Sequence, residues 1–320
     1  MTFRVFDQDV PGLFRDTMLD AVMASPGELL WLDVLSPTAA EIHQLAGVFA
    51  FHPLAIEDVQ KRLQRPKVEE YPTHLFVVLY TVEMPAEGDR PVLHDLALFL
   101  TDWALVTVHR EPVRELGIAS QRWAEHCQGG LQADPAMLMY TIADTVVDGY
   151  FPCMDAIGDR IEDLEALVFS NNGAATIEQV FRLKRVLLEL RRLIAPTRDV
   201  FNSFTRRELP LLGQVSVTYF QDVYDHVIRV TDTIDAYRDI LSTIVDVHLT
   251  VVSNDLNQSV RTLTVASIIL MTLALIAGVY GMNFEHMPEL SWRYGYFGAL
   301  ALMAVIAVGL GWIFRRLRWW

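Results

Sequence analysis

Cysteine is nearly missing from this chain of 320 residues, which holds Cys127 and Cys153 and no others. No CxxC and no Cys/His pair at zinc-ligand spacing occurs. A disulfide framework and a structural zinc site are therefore excluded, and both thiols read as reduced, buried side chains of a cytosolic compartment. Positive charge is also short. Lys and Arg number 26 against 40 Asp and Glu, a formal net charge of −14. That argues against a nucleic-acid partner, because phosphate binding draws on cationic side chains; an acidic chain can instead attract cations. The opening MTFRVFDQDV carries no apolar signal segment, so the first 260 residues are expected to stay in the cytoplasm. Catalytic groupings are wanting too: there is no Ser/His/Asp arrangement, no phosphate loop and no close carboxylate pair in a plausible pocket. The chain is not read as an enzyme, and no organic cofactor is expected.

Two absences are local. From Gln214 to Tyr280 there is no proline, and no glycine before Gly278. Apolar and aromatic residues recur through it at helical spacing, as in Phe220, Val227, Ile234, Leu241 and Ile244, which predicts one helix of sixty-seven residues, roughly 100 Å long. No single globular core needs that length, so the helix is expected to pack against copies of itself or other helices. Asp225, Asp232, Asp239 and Asp246 recur along it every seven residues, as either a solvated outer face or an acidic lining that concentrates cations.

Charge is absent from Leu263–Tyr280 and from Tyr294–Phe314. The first run covers roughly 27 Å, close to a hydrocarbon core of about 30 Å. Both read as transmembrane helices, with a buried soluble hairpin as the alternative. Arg261 precedes the first run, and Arg315, Arg316 and Arg318 follow the second. The positive-inside rule then places both termini in the cytoplasm and the intervening loop outside, in a multi-pass protein of the cell inner (plasma) membrane.

The remainder is soluble in pattern. ELLWLDV, HLFVVLYTVE, HDLALFL and ALVTVH read as strands, the last two joined by a turn at Thr101-Asp102-Trp103. Ser36-Pro37 is expected to start a helix, and PVRELGIASQRWAEHC forms another. The organisation expected is a cytoplasmic α/β domain over 1–130 and a helical hairpin over 131–212, acidic going out from Asp134-Pro135 and basic returning toward Pro196. A stalk helix follows over 213–261, then transmembrane helix 1 (262–281), an external loop (282–292), transmembrane helix 2 (293–314) and a basic tail (315–320).

Two helices cannot enclose a hydrophilic path. Yet Thr264, Ser267, Met271, Ala274 and Gly278 put small or polar groups on one face of the first span, and in lipid such faces meet other helices. That face is either a dimer seam or, repeated about an axis, the lining of a channel. The loop YGMNFEHMPEL follows. Gly281 is expected to stop the helix in the left-handed conformation. Asn283 offers a neutral amide, a ring of which can hold the water shell of a cation without stripping it. That suits Mg2+, which gives up water reluctantly, and conduction, which needs weak binding. Glu285 and Glu289 would raise the cation concentration at this mouth.

Gly281-Met282-Asn283, followed by Met287-Pro288-Glu289-Leu290 between two C-terminal spans, resembles the CorA magnesium channels. WLDV at Trp31, HPLAIEDV at His52, RPKVEEY at Arg65 and YFQDVYDH at Tyr219 extend the likeness over the whole chain. The resemblance implies an α+β membrane protein: an N-terminal cytoplasmic α/β/α domain, a long stalk helix and two C-terminal transmembrane helices, assembled as a funnel-shaped homopentamer in membrane lipid. It implies Mg2+ (with Co2+ and Ni2+) as the transported ion, a selectivity filter of Gly281, Met282 and Asn283, and a pore lined by Asn257, Val260, Leu263, Ser267, Met271, Ala274 and Gly278. It also implies a regulatory Mg2+ held between subunits, with Asp222 as one ligand and Asp89 or Glu87 as its partner. Where the family often has Met-Pro-Leu-Thr in mid-span, this chain has Met271-Thr272-Leu273-Ala274, losing a proline kink and a pore hydroxyl. Zinc transporters share the GMN triplet, so a Zn2+ transporter of the same architecture is the alternative. A membrane-anchored scaffold without transport is the second.

Overall fold

The computed structural model describes residues 29–61, 64–85, 90–128, 134–168, 173–206, 209–282, 287 and 292–319, with backbone alone at Phe3–Phe6, Phe14–Thr17, 168, 173–175 and 214–216. The chain divides into two compact units, Met1–Ile244 and Val245–Trp320.

The first unit is built on a sheet whose seven described strands are β1 (Phe3–Phe6), β2 (Phe14–Thr17), β3 (Leu30–Leu35), β4 (Lys67–Glu70), β5 (Leu75–Glu83), β6 (Val92–Leu100) and β7 (Ala104–His109). Their order is β2-β1-β3-β7-β6-β5-β4. The central β3–β7 pair is parallel, with Leu30 opposite Ala104, and the other pairs are antiparallel. Alternate residues point to opposite faces of a strand. Leu30, Leu32 and Val34, with Phe76, Val78 and Tyr80, therefore face one way. They pack beneath Ile42, Leu45 and Phe49 of α1 (Ala39–Phe49) and Ala55 and Ile56 of α2 (Pro53–Gln60). Trp31, Leu79, Leu98 and Leu105 face the other way and are equally buried. Helix α3 (Arg114–Gln128) packs against α4 (Pro135–Asp148), which is in contact with β5, β6 and β7. Burial on both faces explains why these strands read as unbroken apolar runs.

The start of α1 differs from the sequence expectation. Thr38, not Ser36, is the N-cap. Its hydroxyl accepts from the Glu41 amide at 3.3 Å, and the Glu41 carboxylate accepts from the Thr38 amide at 2.7 Å, a reciprocal capping box. Ser36 instead turns the chain at φ 49°. At α2 and α4 the caps are His52 and Asp134, each followed by proline at the first helical position.

The helical part holds α4, α5 (Tyr150–Val168), α6 (Gly173–Arg206) and the lower part of α7 (Gln214–Tyr280). The acidic outgoing stretch is thus two helices divided at Gly149. The basic helix runs ten residues past Pro196, although proline removes one ladder donor there. Its Arg191 pairs with Asp235 of α7 through two bonds of 2.7 and 3.1 Å, rather than with the acidic helix. On α7, Phe220, Val223, Val227, Val230, Ile234, Leu241 and Ile244 are buried. Phe220 closes an aromatic cluster with Phe201 and Phe204, at centroid distances of 6.3 and 4.9 Å. Gly158 of α5 lets α7 approach, since a Cβ there would sit 2.6 Å from the Tyr237 hydroxyl.

The second unit comprises α7 from Val245 onward and α8 (Gly295–Arg316). Both helices contain an 18-residue window of mean hydropathy 2.3, and 6% of each window is buried. Apolar helix surface left so bare has lipid or other helices as its natural cover.

Candidate functional site

Two places are candidates for a functional site, one in each unit. In the second, α7 keeps its ladder through the apolar segment. Thr264 and Thr272 fold their hydroxyls back onto the Val260 and Ile268 carbonyls, each at 2.8 Å, so that neither spends a bare polar group on lipid. Thr272 therefore leaves the helix unbroken where a proline would kink it. Asn257, Val260, Leu263, Ser267, Met271, Ala274 and Gly278 are all exposed, Met271 by 72%, whereas Val265 on another side of the helix is 5% exposed. A Cβ added at Gly278 would meet nothing within 4 Å.

The helix stops at Gly281, but not as the sequence suggests. Gly281 is not left-handed; its amide still bonds the Ala277 carbonyl at 2.9 Å, and a Cβ there would lie 3.2 Å from that carbonyl oxygen. Close approach of backbone, rather than positive φ, is what glycine supplies here. Met282 follows, with its amide 3.3 Å from the Val279 carbonyl. Asn283, Glu285 and Glu289 lie outside the described residues.

In the first unit, Asp222 projects from α7 with its side chain 63% exposed, and one carboxylate oxygen is 4.0 Å from Nε2 of His226, one turn on. Nδ1 of His226 is 3.8 Å from Asp148 of α4. Asp144, Asp148 and His226 each offer one ligand atom within 4.8 Å of the others, which makes them a group able to hold a metal ion. Arg122 of α3 also reaches this group, bonding Asp144 at 3.2 Å and Asp148 at 3.1 Å. Burial, then the neighbouring Asp148 charge, pushes the Asp144 carboxyl up to about 6 against the opposing pull of Arg122. Burial and the charges of Asp144 and Asp222 push the Tyr140 phenol up to about 12. Asp89 and Glu87 lie outside the described residues.

The chain matches the family model of the CorA-like Mg2+ transporter protein over residues 26–316. It belongs to that family. It is 36% identical over 301 residues to the cobalt/magnesium transport protein CorA of Thermotoga maritima, covering 90% of this chain and 83% of the relative. A more distant relative is the zinc transport protein ZntB of Pectobacterium carotovorum, 20% identical over 80% of this chain and 77% of its own. In fold, the chain is similar to the complete CorA magnesium transporter structure from Methanocaldococcus jannaschii, with a TM-score of 0.81 at 21% identity over 99% and 98% of the two chains. A soluble α/β domain followed by two C-terminal apolar helices is thus common to this chain and CorA.

With the family in hand, the other shared motifs sort by what they touch. Asp58 of HPLAIEDV pairs with Lys67 of RPKVEEY, which also bonds Glu69 at 2.7 Å. Asp33 of WLDV accepts from Thr107 at 2.8 Å and faces His109 at 2.9 Å, inside the sheet. These contacts tie elements of the CorA domain together and touch neither candidate site. The sequence reading passed over Asp144 and Asp148. Two i, i+4 pairs, Asp144/Asp148 and Asp222/His226, were the available signal, since that spacing puts both side chains on one helix face.

Proposed function

We propose that this chain is the subunit of a homopentameric channel that takes up Mg2+, and with it Co2+ and Ni2+, through a pore lined by the first membrane helix. The observation that carries the reading is the uncovered face of α7 from Asn257 to Gly278. It carries Leu263, Ser267, Met271, Ala274 and Gly278 along the candidate span, with Asn257 and Val260 just before it in the stalk, and none of the described residues covers these positions. A polar, small-residue face in lipid calls for other helices, and closed rotational symmetry supplies them with the fewest distinct contacts. The face leads to Gly281 and Met282 and so to Asn283, whose ring would hold hydrated Mg2+ at the mouth. Glu285 and Glu289 would raise the local cation concentration. In this arrangement 213–261 is the stalk, 262–281 and 293–314 are the spans, 282–292 is the external loop, and both termini are cytoplasmic.

Regulation follows from the stalk. Asp222 is exposed and ready to face a carboxylate of the neighbouring subunit, with Asp89 or Glu87 as its partner. Two carboxylates about 5 Å apart repel by roughly 3 kcal/mol at an effective dielectric of 20. Bound Mg2+ removes that term at every interface, which over a ring exceeds the roughly 5.5 kcal/mol needed to carry a two-state equilibrium from one side to the other. Internal Mg2+ would thus hold the pore shut.

The test is flux into proteoliposomes loaded with a divalent-sensitive dye, with Mg2+ and Zn2+ offered separately and Asn283→Ala alongside. Mg2+ entry that vanishes in the variant supports the channel. No flux of either ion through intact oligomers would leave only a membrane-anchored scaffold. Zinc is the second reading, favoured by the ZntB relative and by His226 beside Asp144 and Asp148, a nitrogen and oxygen donor set that suits Zn2+ better than Mg2+. Zinc flux without magnesium flux would decide for it.

A further inference from the structure

The last turn of α8 ends in an unusual way. The Arg318 amide bonds the Arg315 carbonyl at 3.1 Å, and the Trp319 amide bonds the Phe314 carbonyl at 3.0 Å. The Phe314 and Trp319 rings meet at 5.8 Å. This is the Schellman arrangement with its hydrophobic contact, and it requires one residue in the left-handed region. Glycine is the usual occupant because it pays no Cβ penalty. Here the position is Arg318, at φ 56°. The backbone would be easier with glycine, so the side chain is the reason to look for a role.

The fold confines Arg315, Arg316 and Arg318 to one exposed turn. Arg316 stands over the Trp312 ring at 5.4 Å, and that indole is itself 62% exposed. Among the described residues none of the three arginines makes an ion pair, and no Asp or Glu occurs from Tyr294 to the end of the chain. Indoles favour the membrane interface, and guanidinium forks match phosphate oxygens in pairs. We infer that this turn binds anionic phospholipid headgroups on the side of the membrane where α8 emerges, with Trp312 and Trp319 at the acyl boundary and the three guanidinium groups on phosphate. The inference rests on α8 spanning the membrane and is independent of which ion, if any, is carried.

The full-length chain in detergent micelles doped with phosphatidylglycerol or with phosphatidylcholine tests it, read as the thermal unfolding midpoint, because a ligand of the folded state raises it. Phosphatidylglycerol should raise the midpoint several degrees further than phosphatidylcholine, with the difference shrinking in high salt. The triple variant Arg315→Gln, Arg316→Gln, Arg318→Gln should respond to both lipids alike. An undiminished phosphatidylglycerol increment in that variant, or equal increments in the native chain, overturns the inference. Should the triple variant fail to fold, Arg318→Gly takes its place, since the turn favours glycine. Its midpoint without added lipid should hold or rise while the phosphatidylglycerol increment falls, and a full increment overturns the proposal. Flotation of the native chain with phosphatidylcholine vesicles separates the underlying premise: a chain that does not float overturns the membrane reading itself.

Discussion

Within the single helix α7 two stretches can be set side by side. From Phe220 to Ile244 the stripe of Phe220, Val223, Val227, Val230, Ile234, Leu241 and Ile244 is buried within the subunit. From Leu249 onward Leu249, Val252, Leu256, Val260 and Leu263 keep the same kind of spacing and are exposed. The periodicity is alike, but the partners are not. An apolar stripe says that a helix will be covered and leaves open by what. In the lower stretch the answer lies within the subunit. In the upper stretch none of the described residues covers these side chains, and that is where the proposed pore begins.

Several substitutions put this contrast to the test. The largest effect expected on stability is Phe220→Ala, which removes a fully buried ring from the aromatic cluster with Phe201 and Phe204. It should cost about 3–5 kcal/mol in chemical denaturation of the first unit. Leu256→Ala, chemically comparable on the upper stretch, should leave that transition within about 0.5 kcal/mol and instead lower the yield of cross-linked oligomer. Equal destabilisation by both would erase the distinction between the stretches.

Gly158→Ala tests how tightly the lower stretch is packed. The added methyl meets the Tyr237 hydroxyl and should cost about 1–3 kcal/mol, with part of the loss recovered by Tyr237→Phe in the same chain.

Asp222→Ala, which touches the proposed regulation and not the fold, should weaken the inhibition of flux by internal Mg2+ while leaving flux in low internal Mg2+ intact. Unchanged inhibition would remove Asp222 from the mechanism.

The smallest effect concerns pH. Asp144 has its carboxyl raised from 3.8 to about 6 in the folded chain. Between those values the folded state binds the extra proton, so the contribution to stability is fully present below pH 3.8 and is lost as pH rises through about 6. Asp144→Asn should flatten the slope of the unfolding midpoint across that window, and an unaltered slope would show that another group titrates there. A divalent ion bound at Asp144 would compete with the same proton, so its affinity should fall as pH drops below about 6.

What was legible beforehand was what periodicity and length alone decide. The bounds of α7, Gln214–Tyr280, follow from an unbroken apolar rhythm without proline, and the two candidate spans from uncharged runs as long as a bilayer is thick. The strands of the central sheet showed themselves as apolar runs bounded by turns, because a strand buried on both faces has no polar side to alternate with. The sheet order, with β3 joined to β7 in parallel across the intervening elements, was not legible, since strand pairing is a long-range choice. The conformation of Gly281 was also misjudged: glycine signals freedom, and only the neighbouring Ala277 carbonyl shows which freedom is used. Least visible was the grouping of Asp144, Asp148 and His226, which belong to helices distant in sequence. Local patterning by itself determined the long helix α7, the apolar strands β3, β5, β6 and β7 and the two candidate spans, while β1, β2, β4 and α2 carried no such signal. Which carboxylates, imidazole and guanidinium meet was decided only when α3, α4 and α7 packed together, because charge interactions act over a few ångströms of space and are blind to separation along the chain.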